Sequence, residues 1–390
     1  MREGYESLGK YIIPVDERNR DLSITNLLGV SIEKRFIPSI ANIVGTDLSN
    51  YKIVRTGQFA YGPVTSRNGE KISIALLDGE DCIISSSYSV FMITDTSKLD
   101  PEYLMLWFKR PEFDRYARYK SHGSVREIFD WDEMCDVELP VPTIEKQKEI
   151  VKAYRTITER IELKRKINDN LRATGIAVVE KAVGTAALIN RTQAELDSLL
   201  LPEGWSITTV SEFCKETKSG ATPSRSEPSF WDSGTIPWLK SGEVHNGISL
   251  KTEEFITQCA LEYSSVKLLP SDTVLMAMYG VTAGEVGYLA IPATTNQAVC
   301  GMVCNGQADA AYLFFALLQS QDAASRLSNG GAQDNLSKNF IDGIHLICPP
   351  EDLIQELQLS SLIENMTLVT KEIDYLEQLQ ATILAELSRR

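Results

Sequence analysis

Apolar positions along this chain follow two rhythms that alternate twice. Between Tyr5 and Pro140 they come in short runs, Ile53-Val54, Ile72 to Leu77 and Cys82 to Ile84, broken by Gly and Asp turns. Runs of that length between turn residues predict strands of a mixed α/β module. Asp100-Pro101 then opens a predicted helix from Glu102 to Phe108, with proline in the favoured first turn. Residues 202–348 repeat the order: Tyr279-Gly280 stands where Tyr61-Gly62 stood, and Tyr312-Leu313 echoes Tyr103-Leu104 ahead of a similar apolar helix.

After each module the period changes from strand to heptad. In the last stretch Leu359, Met366, Ile373 and Leu387 share one heptad position, interrupted by Gln380, while Leu362, Val369, Leu376 and Ile383 occupy the other. A seam sustained this long predicts a coiled coil. The earlier stretch begins with the same rhythm at Ile150, Tyr154, Ile157 and Ile161, then slips to Leu163, Ile167 and Leu171. Such a slip predicts a stutter that locally unwinds the supercoil. Each seam needs a partner, and the economical arrangement is that the two helices pair antiparallel. About 40 residues of helix are ~60 Å long.

The junctions repeat most faithfully. Gly123-Ser-Val-Arg-Glu-Ile128, then Leu139-Pro-Val-Pro142 and Gln147, recurs 208 residues later as Gly331-Ala-Gln-Asp-Asn-Leu336, Ile347-Cys-Pro-Pro350 and Gln355. That period exceeds any solenoid repeat and equals one domain plus one helix. The expected fold is α+β: two mixed α/β domains, 1–142 and 202–349, separated and joined by long helices 143–185 and 350–390 that form an antiparallel coiled coil, with a linker at 186–201.

Composition narrows the class. At 390 residues and 43% hydrophobic content the chain can bury ordinary cores. It has no apolar run near the ~20 residues of a membrane span, and its first residues lack the apolar core of a signal peptide. Seven cysteines form no C-x-x-C pair and read as free thiols of a reducing cytoplasm. The three histidines are scattered and read as ordinary residues rather than metal ligands. The net charge of −14 weighs against nucleic acid, since DNA affinity rests on cations neutralising phosphates. The charge is segregated, however. Lys109, Arg110, Arg115, Arg118, Lys120 and Arg126 face only Glu112 and Asp114 between residues 109 and 126, with Tyr116 and Tyr119 interleaved. The stretch from Glu351 to Glu386 is acidic, with Lys371 its only cation.

Catalytic motifs are missing from the sequence. It contains no phosphate-binding G-x-x-x-x-G-K-[ST], no G-x-G-x-x-G after a strand and no G-x-S-x-G. Pro349-Pro350, between Cys348 and Glu351, does not form an amino-methyltransferase motif. What each module offers is polar loops punctuated by glycine. The first carries Tyr61-Gly-Pro-Val-Thr-Ser-Arg-Asn-Gly69; the second carries Ser219-Gly-Ala-Thr-Pro-Ser-Arg225, Trp238-Leu-Lys-Ser-Gly242 and Tyr279-Gly-Val-Thr-Ala-Gly284. Arg and Asn read base edges, hydroxyls and backbone N–H groups take phosphates, and glycine permits close backbone approach. Any one such loop, taken alone, reads better as an ordinary surface turn. The same loop chemistry at corresponding places in both modules favours recognition. Candidate DNA contacts are Tyr61, Ser66, Arg67, Asn68, Lys71, His122, Ser124 and Arg126 in the first module. In the second they are Ser219, Thr222, Ser224, Arg225, Lys240, Ser241, Tyr279 and Thr282, with Gln297 and Gln333 as further possible readers.

The Pro-x(4)-Gln openings at Pro142–Gln147 and Pro350–Gln355, the long helices after them, Leu201-Pro-Glu-Gly-Trp205, Ile236-Pro-Trp-Leu-Lys-Ser-Gly242 and Thr294-Thr-Asn-Gln-Ala298 together carry a family resemblance. Over nearly its whole length the chain resembles the specificity subunit of a type I restriction–modification system. The resemblance implies a cytoplasmic, non-catalytic protein whose two target recognition domains each read half of a split site in double-stranded DNA. It implies that the paired helices set the spacing and dock two methyltransferase subunits, and that a restriction and translocase subunit joins them. No cofactor is expected on this chain; S-adenosylmethionine and ATP belong to the partners. There are two departures. The first module starts at Tyr5 without a Pro-Glu-Gly-Trp entry, and Arg126 corresponds in position to Asp334, of opposite charge. The rival readings are a stand-alone DNA-modifying enzyme with an unrecognised catalytic site, and a coiled-coil scaffold that binds protein.

Overall fold

A computed structural model describes residues 4–39, 45–66, 68–123, 126–245, 247–328 and 335–388. The chain falls into two compact units, Met1–Arg160 with Leu376–Arg390, and Ile161–Tyr375. Each long helix therefore contributes residues to both units, whereas the sequence reading set the helices apart as segments of their own.

The first unit runs β1 (Tyr5–Ser7), β2 (Ile12–Val15), β3 (Leu28–Val30), β4 (Phe36–Pro38), β5 (Lys52–Val54), β6 (Phe59–Tyr61), β7 (Ile74–Leu76), β8 (Cys82–Ile84), β9 (Ser89–Ile93), α1 (Pro101–Phe108), α2 (Pro111–Lys120), α3 (Trp131–Cys135), β10 (Glu138–Pro140) and the start of α4 (Ile144–Val183). Its main sheet is antiparallel in the order β2-β9-β6-β7. Helix α1 starts where predicted because Asp100 caps it, its carboxylate accepting from the N–H groups of Glu102 and Tyr103. Tyr103, Leu104, Leu106 and Phe108 are buried in the core with Phe59 and Phe91, whose rings stack at 4.9 Å.

The second unit contains β11 (Ala187–Leu188), α5 (Gln193–Asp197), β12 (Ser206–Thr209), α6 (Val210–Phe213), β13 (Glu216–Ser219), β14 (Ile236–Leu239), β15 (Ile248–Ser249), β16 (Glu254–Ile256), α7 (Gln258–Tyr263), β17 (Thr273–Ala277), β18 (Val286–Leu289), β19 (Thr294–Thr295) and β20 (Val299–Val303). It continues with α8 (Gln307–Gln319), α9 (Gln321–Ser328), α10 (Lys338–Asp342), β21 (His345–Cys348), α11 (Glu351–Glu356) and most of α12 (Leu359–Glu386). Five strands form the sheet β13-β20-β17-β18-β15, beside smaller sheets β16-β14-β19 and β11-β21-β12. Helix α8 is buried all round. Phe314 meets Tyr288 of the sheet edge-on at 5.6 Å, and the Phe315 ring lies so close to α4 that a Cβ on Gly175 would fall 2.2 Å from it. All seven cysteines are free of disulfides in this structure.

The repeat survives in three dimensions, with one shift. The Tyr103 hydroxyl donates to the carbonyl of Pro140 at 2.9 Å, and the Tyr312 hydroxyl donates to that of Ile347. Leu8 N–H donates to Val137, and Val210 N–H to Ile344. In these strands the units correspond at 207 residues, one fewer than the motif spacing, because an extra residue follows β21 before the prolines. The glutamines also diverge. Gln147 is fully buried, its Oε1 accepting from Asp100 N–H and its Nε2 donating to the carbonyls of Lys98 and Pro142, all at 2.8 Å. Gln355 is exposed.

The long helices pair antiparallel within each unit. In the first, Gln380 Nε2 donates to Thr158 Oγ1 at 2.7 Å, and Val151 and Leu387 share the core. In the second, Lys164 meets Glu372 at 2.7 Å, and Asn168 Nδ2 donates to Thr370 Oγ1 at 3.0 Å. The seam read in α12 holds, with Leu359, Met366, Ile373 and Leu387 buried and Gln380 keeping its place in the row. Two expectations need correction. The stutter in α4 does not occur: Leu163 is 58% exposed, while Lys164, Asn168 and Gly175 continue the heptad inward, so the seam runs through residues that do not look apolar. The second helix is not continuous either. Gln358, in the left-handed region at φ 53°, separates α11 from α12.

Candidate nucleic-acid interface

In the second unit, four loops meet at one end of the five-stranded sheet. Registers Ser219 with Cys300, Ala277 with Val299 and Met276 with Val286 put the loops after β13, between β17 and β18, and before β20 at the same end. Backbone bonds tie them together: Ala221 N–H to Thr295 at 2.9 Å, Gly220 N–H to Val299 at 3.2 Å, and Asn296 N–H to Leu239 at 2.9 Å, which brings in the loop after β14. A Cβ at Gly220 would lie 2.2 Å from the Thr295 carbonyl oxygen, so only glycine allows this approach. Thr282 Oγ1 donates to Ser241 O at 3.2 Å, and Thr222 Oγ1 donates to Gln297 Oε1. All eight second-unit candidates belong to this end. Thr222, Ser224, Arg225 and Tyr279 are exposed; Ser219, Lys240, Ser241 and Thr282 are half-buried.

The cations there are already engaged. The Arg225 guanidinium lies 3.6 Å from the centre of the Trp231 ring and 5.0 Å from that of Trp238, and its Nη1 pairs with Glu254 at 2.5 Å. Lys240 Nζ sits 2.6 Å from Glu253 and 3.3 Å from Glu254. Arg225, then Lys240, holds the Glu254 carboxyl below its ordinary value, and Glu253 raises the Lys240 ammonium. Sequence reading found both cations and missed the carboxylates: Glu254 stands 29 residues from Arg225, at the start of β16, with Glu253 just before it and no local signature. It also missed Val281, lifted into solvent beside Gly280, whose φ is 77°.

The first unit gathers a smaller set. Thr65 N–H donates to Glu127 O at 3.0 Å and Thr65 Oγ1 to Ser121 Oγ at 2.9 Å, joining the turn at Ser66 and Asn68 to the strap carrying His122 and Arg126. A matching strap in the second unit is tied by Leu336 N–H to Met278 O at 2.8 Å. Ser66, His122 and Arg126 are exposed and Asn68 is half-buried. Lys71 pairs with Glu33 at 2.9 Å. Arg67, Ser124, Gln333 and Asp334 lie outside the described residues.

Tyr61 must be removed from the contact set. It is fully buried, edge-on to Phe91 and Phe129, and burial pushes its hydroxyl up to about 12. The basic stretch also shrinks as a DNA surface. Arg110 is buried on Trp107, Lys109 lies over Tyr154 with its pKa lowered by burial, Arg118 pairs with Glu127, and Lys120 pairs with Glu133. A helical run of cations spreads around the helix, and its inward members become structural.

A repeated framework that gathers glycine-bearing polar loops at one end of each sheet, on a shared antiparallel helix pair, defines a two-domain recognition protein. Residues 39–173 and 202–378, about four-fifths of the chain, match the family described as the type I restriction modification DNA specificity domain. The chain is 21% identical to the type I restriction enzyme HindI specificity subunit of Haemophilus influenzae, over 84% of this chain and 87% of that one. It is 22% identical to the MjaIX specificity subunit of Methanocaldococcus jannaschii, over 73% and 68% respectively. The crystal structure of an S subunit from M. genitalium shares the fold, with a TM-score of 0.54 at 15% identity, covering 98% of this chain and 95% of that one. The chain belongs to this family: it is a specificity subunit, the DNA-recognising, non-catalytic component of a type I restriction–modification system.

Proposed function

We propose that each unit reads one half of a split, asymmetric site in double-stranded DNA, through the loop ends described above. The observation that carries this reading is the pairing of a conserved framework with divergent loops. Tyrosine-to-carbonyl bonds, straps and strand registers recur between the units, while the residues the loops present differ. In the second unit Thr222, Ser224, Arg225, Lys240, Ser241, Tyr279, Thr282 and Gln297 supply the contacts; in the first, Ser66, Asn68, His122 and Arg126 do, with Arg67 and Ser124. The helix pair sets the gap between half-sites and docks two methyltransferase subunits, and a restriction and translocase subunit completes the assembly. S-adenosylmethionine and ATP are bound by those partners and not by this chain. The setting is the cytoplasm, in keeping with the finding that no described helix is long and apolar enough to cross a membrane.

The test is a map of methylated bases in DNA from cells expressing this chain with its methyltransferase partner. The expected result is one bipartite motif with a fixed gap and two unlike halves. A single continuous motif, or methylation without sequence preference, overturns the proposal.

A further inference from the structure

Val281 is the most exposed of the large apolar side chains among the described residues, and it stands at the loop end proposed above to meet DNA. A single apolar residue on a surface is ordinary. What distinguishes Val281 is how firmly the chain around it is held.

Gly280–Thr282 form one 3-10 turn between β17 and β18, entered through Gly280 at φ 77°. Gly284 N–H donates to Ala277 O at 2.8 Å, Ala283 N–H to Gly280 O at 3.1 Å, and Glu285 N–H to Thr282 O at 2.9 Å. On one flank Thr282 Oγ1 reaches Ser241 O, in the loop after β14, at 3.2 Å. On the other, Tyr279 bridges Asn335. Met278 is bonded on both sides, its N–H donating to Ala298 O and its carbonyl accepting from Leu336 N–H, each at 2.8 Å. Ala283 is buried, and Gly284 packs so closely on α9 that a Cβ there would lie 2.8 Å from Ser325 Oγ. The backbone is pinned on both sides of Val281, and its side chain is left in water.

An apolar side chain on a fixed tip gains its burial energy only when a ligand covers it. The cost of ordering is small, because a β-branched residue is stiff at χ1 and the loop is already in place. Beside it stand groups suited to base edges and phosphates: Thr282, Ser241 and the hydrogen-bonded pair Thr222 and Gln297. In the major groove, the apolar group displayed among donors and acceptors is the thymine 5-methyl. Wedging between stacked bases is the work of larger or ring side chains such as Phe, Leu, Ile, Met and Pro. Valine ends one carbon beyond Cβ and suits contact with a methyl group instead.

We propose that Val281 covers the 5-methyl group of a thymine in the half-site read by the second unit, selecting that base pair by apolar contact. This inference rests on the reading of the loop end as the DNA contact of that unit.

The test uses the chain assembled with its methyltransferase partner. Methylated-base mapping first supplies the bipartite motif; if there is none, the broader reading fails and this inference with it. Given the motif, each thymine of both half-sites is replaced in turn by deoxyuridine, which lacks only the 5-methyl, and the duplexes are titrated by fluorescence anisotropy. One replacement, in one half-site, should weaken binding by about fourfold, the effect of one buried methyl group. Val281→Ala should weaken binding to the unmodified target by a similar factor and be indifferent to that replacement, while responding to every other as the parent does. Thermal melting of the variant should match the parent, since the side chain touches water. A bipartite motif in which no thymine is coupled to Val281 in this way overturns the proposal and leaves the broader reading standing. So does a variant that weakens target and non-target duplexes alike, which marks a backbone contact. Weaker assembly with the methyltransferase in the absence of DNA also overturns it, since Val281 would then belong to a protein interface.

Discussion

Glu254 pairs with both Arg225 and Lys240, and on the proposed reading of this loop end that pairing competes with DNA. A cation paired within the protein must leave its carboxylate before it can neutralise a phosphate, so the acid is expected to lower the affinity of the proposed contact loop for any duplex. Glu254→Gln removes that competitor and leaves the Trp231 stack under Arg225. Binding to a duplex lacking the target should then tighten, and the slope of log K against log salt should steepen by roughly one, for Arg225, since Lys240 keeps Glu253. Fluorescence anisotropy titrations at several salt concentrations, with the methyltransferase partner present, measure this. An unchanged slope would mean that Arg225 does not face the backbone. Arg225→Ala is expected to weaken target and non-target binding, and also to lower stability by about 1 kcal/mol through the lost indole stacking. Because Arg225 holds Glu254 below its ordinary carboxylate value, the latch is closed at neutral pH. Its contribution to stability is present above the unfolded value and lost as pH falls through the lowered folded one. An acid unfolding series should show a flatter limb for Glu254→Gln.

Among the elements, the two long helices show where pattern reading succeeds and fails. The seam of α12 was legible because nearly every inward position is Leu, Ile, Val or Met, and the lone exception, Gln380, was recognised as an interruption of a regular row. The seam of α4 was misread because its inward positions include Lys164, Asn168 and Gly175, while Leu163 faces solvent; following leucines led to the wrong face. Those residues are chosen for their partners, Glu372, Thr370 and Phe315, which no local pattern shows. The correspondence of Tyr103 with Tyr312 and the loops of the second unit were readable from repeated motifs, whereas strand order was not, since pairing between short apolar runs leaves no local signature. The burial of Tyr61 was not, because a Tyr-Gly pair reads alike in a core strand and at a loop. Gly175→Ala turns this into a measurement. Alanine favours an isolated helix by ~1 kcal/mol, but its Cβ would overlap a fully buried ring, and overpacking costs ~1–3 kcal/mol. Overpacking should win, lowering Tm by a few degrees. Adding Phe315→Leu should recover much of the loss in a double-mutant cycle. Asn168→Leu should behave oppositely and raise Tm, since a polar seam residue exchanges stability for register.

At the scale of the whole molecule, the separation of reading from spacing predicts that the two can be changed independently. Replacing residues 5–140 with the corresponding module of another specificity subunit should alter one half-site and leave the other half and the gap as they were. The spacing experiment follows from how the helices are shared, with α4 passing from one unit to the other at residue 160 and α12 at residue 375. Seven residues inserted into both helices at those points preserve the heptad seam and lengthen each helix by ~10.5 Å. At 3.4 Å per base pair this is about three base pairs. Methylated-base mapping should therefore return the same two half-sites with a gap longer by about three. Three base pairs also turn the second half-site by roughly 100° at 10–10.5 base pairs per turn, whereas a heptad keeps the seam in phase. Methylation should accordingly be slower than in the parent, since DNA must twist to present both halves. Inserting the heptad in only one helix breaks the antiparallel register and should abolish methylation altogether. An altered half-site in the double insertion, or an unchanged gap, would sink the idea that the helices measure distance.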